Sequence, residues 1–89
     1  MIKLVLTDSY KRKAKKFFKK HPNLLNQYEK TLKLLIINPA HPSLRLHSIA
    51  SKNLHSISIN MSYRVLLSIQ IKEDGTIILV DIGSHDDVY

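Results

Sequence analysis

The stretch Asn53-Leu54-His55-Ser56-Ile57-Ser58-Ile59-Asn60 alternates polar and apolar side chains over most of its length, a period of two that marks a strand with one buried face. Asn60-Met61-Ser62 follows as a plausible turn, and residues 63–71 make a second strand of Val, Leu and Ile. Glu73-Asp74-Gly75 then reads as a hairpin turn, and residues 76–82 as a further strand. Alternation assigns the faces. Ile57 and Ile59 share a side, with His55 on their parity as a packed, hydrogen-bonded histidine at the edge of the core. Tyr63, Val65, Leu67, Ile69 and Ile71 point one way; Arg64, Leu66, Ser68 and Gln70 point the other. Placing the isoleucines and valines in the core leaves Ser56, Ser58, Arg64, Ser68 and Gln70 on a polar, open face.

Upstream, the pattern changes period. Residues 2–6 are apolar enough for a buried first strand, and Met1–Leu6 is too short and too soon charged for a signal peptide. Thr7, Asp8 or Ser9 can cap a helix over 9–20, on which Tyr10, Ala14, Phe17 and Phe18 form one apolar stripe. Pro22 suits the first turn of a second helix over 22–37, with Leu24, Leu25, Tyr28, Leu32, Leu35 and Ile36 on its apolar face and Lys30 and Thr31 as polar spacers. Asn38-Pro39 ends that helix. The expected fold is a single α+β domain over 1–89. It has an N-terminal strand, an antiparallel helix hairpin, and a three- to four-stranded antiparallel sheet with the helices on one face.

Composition narrows the function. Eighty-nine residues, 44% of them hydrophobic, support one modest core. No apolar run approaches the ~20 residues of a membrane span, and the absence of cysteine excludes disulfide staples and thiolate zinc sites. A cytoplasmic protein is the expectation. Fourteen basic against seven acidic residues give a net charge of +7, which favours a polyanionic partner. Lys11, Arg12, Lys13, Lys15, Lys16, Lys19 and Lys20 concentrate half of that basic charge in ten residues, as either a solvated lysine face or a contact for a nucleic-acid backbone.

Several side chains suit phosphodiester chemistry. The ending Gly83-Ser84-His85-Asp86-Asp87-Val88-Tyr89 supplies two proton-transfer groups, His85 near neutral pH and Tyr89 in a suitable environment; a packed clasp is the alternative. Arg64 stays protonated and offers a fork of donors to a phosphate, or else an ion pair to Asp81 or the terminal carboxylate. Arg45 and His47, in Leu44-Arg45-Leu46-His47, provide a phosphate clamp and a base or simply decorate a loop. Lys52 has the same two readings. No histidine pair has the i, i+4 spacing of a helical metal site, and His47 with His55 lacks a third ligand. Without a glycine-rich phosphate loop either, neither metal nor nucleotide cofactor is expected.

Four segments carry a family resemblance: His41-Pro42-Ser43-Leu44-Arg45-Leu46-His47, Ser56-Ile57-Ser58-Ile59-Asn60, Tyr63-Arg64-Val65-Leu66 and Ile82-Gly83-Ser84-His85-Asp86-Asp87-Val88-Tyr89. With the order of elements, they resemble the RelE/ParE superfamily of bacterial toxins over nearly the whole chain. The resemblance implies a small basic toxin paired with an acidic antitoxin. In the RelE and YafQ branches it implies cleavage of mRNA in the ribosomal A site; in the ParE branch it implies inhibition of DNA gyrase without nuclease chemistry. Arg64 resembles the arginine that supports the scissile phosphate. His85, Tyr89 and His47 resemble the C-terminal histidine, the terminal aromatic residue and an earlier histidine of the YafQ-like branch. Lys11, Lys15, Lys16, Lys19, Arg45 and Lys52 are the expected RNA contacts. Ser56 and Ser58 depart from the pattern, standing where several relatives carry basic or histidine residues.

Overall fold

Thr7 decides where the first helix begins: its Oγ1 accepts the Tyr10 N–H at 3.0 Å and satisfies one of the four donors a helix start leaves open. The computed structural model describes residues 2–49, 51–60 and 65–84. Its elements are β1 (Lys3–Leu6), α1 (Asp8–Lys20), α2 (Leu25–Ile37), β2 (His47–Ile49), β3 (Leu54–Asn60), β4 (Val65–Ile71) and β5 (Thr76–Gly83). Short 3-10 turns at Pro22–Leu24 and Pro42–Leu44 lead into α2 and follow it. The second helix thus starts as the expected proline-led turn and becomes α-helical at Leu25.

The strands form one sheet in the order β1-β5-β4-β3-β2. β2 to β5 are the expected antiparallel run, and β1 adds a fifth strand, parallel to β5. The β4–β5 hairpin turns at Gly75, whose φ of 90° a side chain would oppose. The Thr76 N–H donates to Asp74 Oδ1 at 3.0 Å there, and this bond holds the Asp74 carboxyl below its ordinary range.

The helices cover one sheet face. Ile57 on β3 lies opposite Leu67 on β4, which lies opposite Ile82 on β5, and all three are buried beneath α1 and α2. Strict alternation on β5 would send Asp81 inward and Ile82 outward. Instead the register shifts between Ser68 and Ile69, leaving Val80 as an extra residue, so Ile77, Leu79 and Ile82 all reach the core. Each such burial contributes about 1.5–3 kcal/mol.

Three expectations are corrected. From the 3-10 turn into α2 the buried row is Leu24, Tyr28, Thr31 and Leu35, whereas Leu25 and Ile36 are exposed. Thr31 is therefore no solvent-facing spacer: the 3.6-residue period places it inward, and its hydroxyl is satisfied by donating to the Gln27 carbonyl at 2.8 Å. The second sheet face is not open throughout. Ser56 and Ser68 pair across β3 and β4 and are buried, because a serine side chain barely clears the backbone and β2 and β5 flank the pair. His55 is half-buried between Ser48 of β2 and Ile69 of β4, but its Nδ1 has no hydrogen-bond partner among the described residues.

Candidate functional site

Arg45 ends the 3-10 turn Pro42–Leu44 in the left-handed conformation, φ 51° and ψ 49°, with its N–H donating to the Pro42 carbonyl at 3.1 Å. A residue with a Cβ costs about 1–2 kcal/mol in this region, so glycine would be the easier choice. The turn itself is capped by His41, whose Nδ1 accepts the Ser43 N–H at 3.1 Å. His41 thereby helps present Arg45. The exposed Arg45 lines a cleft of about 650 Å3 with Asn23, Gln27, Ser43, Ser58 and Asn60. The Ser58 hydroxyl donates to the Asn60 carbonyl at 3.5 Å.

His47 begins β2 at the sheet edge, exposed, and lies opposite Ser56. The transverse row continues from Ser56 to Ser68 and from Ser68 to Asp81. Of the two serines at the positions of departure, Ser58 lines the Arg45 cleft and Ser56 is buried. Lys52 sits in the turn after β2, where its N–H donates to the Ile49 carbonyl at 3.1 Å, at the opposite end of the β2–β3 hairpin from Arg45. The structure does not bring it to the cleft.

Arg64, His85 and Tyr89 lie outside the described residues. The chain on either side of them is described. Asn60 pairs with Val65, and Leu66 pairs with Gly83, so the residues flanking both segments meet at one end of the sheet. The Arg45 cleft opens at that end through Ser58 and Asn60.

A second cleft, of about 720 Å3, adjoins the first through Asn23 and Leu24 and runs between α1 and the end of β5. Lys13, Lys16 and Lys20 line it; Lys13 Nζ also reaches Asp81 Oδ1 at 3.3 Å. Lys11, Lys15 and Lys19 are exposed elsewhere on α1, so of the four expected RNA contacts on this helix Lys16 alone lines this cleft. Lys13 and Lys20 belong to the basic cluster but not to the expected RNA contacts, although their i, i+3, i+7 spacing with Lys16 puts the three on one face. Among the described residues, no three His, Asp or Glu side chains converge to hold a metal, and no helix is long and apolar enough to cross a membrane.

Compared with known proteins, the sequence matches no family model and no curated protein. Solved structures do match. The toxin in the E. coli DinJ–YafQ complex superimposes with a TM-score of 0.79 over 100% of this chain and 99% of that one, at 14% identity. The chain has the RelE/YafQ fold. A copper-bound mutant toxin from Helicobacter pylori shares it with a TM-score of 0.72 and 27% identity, each chain covered over 100%. So does the YoeB–YefM toxin–antitoxin complex from Staphylococcus aureus, with a TM-score of 0.68 and 14% identity over 96% of this chain and 98% of that one.

Proposed function

We propose that this protein is the toxin of a toxin–antitoxin pair and an mRNA endonuclease that acts on the translating ribosome. The observation that carries the reading is the whole-chain likeness to toxins, including one at 27% identity, two of them in complex with antitoxins. A net charge of +7 suits an acidic antitoxin and, in its absence, ribosomal RNA and mRNA. RNA can be cut without a metal when its own 2′-hydroxyl attacks the adjacent phosphorus. His47 takes the 2′-hydroxyl proton as the new P–O bond forms, and Arg64 stabilises the charge gathering on the phosphoryl oxygens. The P–O5′ bond then breaks and His85 returns a proton to the leaving oxygen, giving a 2′,3′-cyclic phosphate and a 5′-hydroxyl. Tyr89 positions a base or assists the acid. Arg45, at the cleft mouth, holds a neighbouring phosphate.

The test is cell-free translation with and without the protein, followed by mapping of mRNA ends. New ends inside the reading frame, absent when the same mRNA is incubated without ribosomes, are the expected result. Intact mRNA together with gyrase stalled on DNA would replace this reading with ParE-like inhibition.

A further inference from the structure

His21 closes α1 with φ −131° and ψ 60°, its N–H donating to the Phe17 carbonyl at 3.0 Å. That break in the helix lays the exposed imidazole against Phe17, with ring centroids 4.7 Å apart and planes inclined by 36°. Phe17 is itself anchored, edge-on to Phe18 at 5.1 Å, and Phe18 lies 4.6 Å from Tyr28. His21 is thus the solvent end of an aromatic ladder rooted in the core. Both His21 and Phe17 line the cleft between α1 and β5, where Lys16 and Lys20 stand one helical turn apart and Asn23 adds an amide. Lys13, the third lysine there, is already in contact with Asp81.

The geometry points to a subsite for single-stranded RNA in this cleft, with one base stacked on the His21 ring and the adjoining phosphates on Lys16 and Lys20. Aromatic stacking beside a cationic track is how proteins hold unpaired nucleotides with little regard to sequence. Side chains four apart on a helix lie about 5–6 Å from one another, so each lysine can meet a different phosphate. An acidic peptide would use the same lysines but gains nothing particular from an exposed, pre-stacked ring, and this observation favours RNA. The choice of ligand rests on the RNA reading above; the subsite lies on α1, away from the His47 edge.

The experiment measures binding of a fluorescent oligouridylate, and of an abasic strand of equal length, to the full-length protein without ribosomes. His21→Ala should weaken the oligouridylate about tenfold, within the range for loss of one stacked base, and leave the abasic strand unchanged. His21→Phe should restore binding. Lys16→Gln with Lys20→Gln should weaken both strands and flatten the salt dependence by roughly 1.4 units of slope. Equal binding of the two strands by the wild type, or wild-type affinity in His21→Ala, would overturn the subsite. So would an oligoglutamate that displaces the RNA and binds through Lys16 and Lys20 with no dependence on His21, since the cleft would then be a protein-docking surface. Cleavage on ribosomes with no His21 effect on binding refutes the subsite alone. His21-dependent binding without cleavage refutes the nuclease alone.

Discussion

The hydroxyls of Tyr10 and Tyr28 meet at 2.7 Å in the core, one from each helix. Burial, then the bond to Tyr28 and its charge, push the Tyr10 phenol above its ordinary range; burial raises Tyr28 despite the opposing effect of its bond to Tyr10. A tyrosine whose folded pKa is raised stabilises the fold fully below its unfolded value, near 10, and loses that contribution as pH rises beyond it. The pair therefore contributes nothing to pH dependence between 7 and 9 and makes stability fall above about pH 10. Tyr28→Phe leaves the Tyr10 hydroxyl buried without its partner and should cost about 1–3 kcal/mol in denaturant unfolding at pH 7. The double variant Tyr10→Phe, Tyr28→Phe should recover much of that loss and show a shallower alkaline decline. An alkaline decline as steep as the wild type's would mean that the pair does not govern it. Sequence gave Tyr10 and Tyr28 as apolar stripe positions on two helices. Their hydroxyls' meeting depends on how the helices cross, which no local pattern encodes.

Among the elements, α1 owes its start to Thr7, which donates at 3.5 Å to the Leu79 carbonyl of β5 as well as capping the helix. Thr7→Ala should lower the unfolding free energy by about 1 kcal/mol, and Thr7→Ser should largely retain it. Equal losses in both variants would assign the effect to the threonine methyl instead. Long periodic elements were legible: β1, α1, β3, β4 and β5 fall within a residue or two of their expected spans. β2 was not, because His47-Ser48-Ile49 is three residues with a single buried side chain, held by pairing with β3 rather than by a pattern of its own. The buried face of α2 was only half legible. Leucines and isoleucines outnumber the positions the sheet can cover, so Leu25 and Ile36 are left outside while Thr31 goes in. At the candidate site, Arg45 and His47 were legible as residue types. The left-handed turn that presents Arg45 and the burial of Ser56 follow from tertiary context.

At the scale of the whole molecule, basic charge is distributed by the fold rather than by the sequence cluster. Lys13, Lys16 and Lys20 turn toward the end of β5, Arg45 reaches the same end of the sheet from the other side, and Lys52 sits at the far end of its hairpin. The end of β5 lines the lysine cleft and the end of β3 lines the Arg45 cleft. This arrangement gathers basic side chains at one end of the sheet, which suits the polyanionic substrate of the proposed nuclease. The most direct measurement maps mRNA ends in a translating extract containing wild-type protein, Arg64→Ala or His85→Ala, each first shown by circular dichroism to be folded. In-frame cuts by the wild type are expected, with a fall of about 10²–10³ in cleavage rate for Arg64→Ala, the usual cost of one transition-state charge contact. A comparable loss is expected for His85→Ala, which His85→Gln does not rescue, since glutamine cannot exchange a proton. Folded Arg64→Ala and His85→Ala proteins that still cut at the wild-type rate would contradict the nuclease reading.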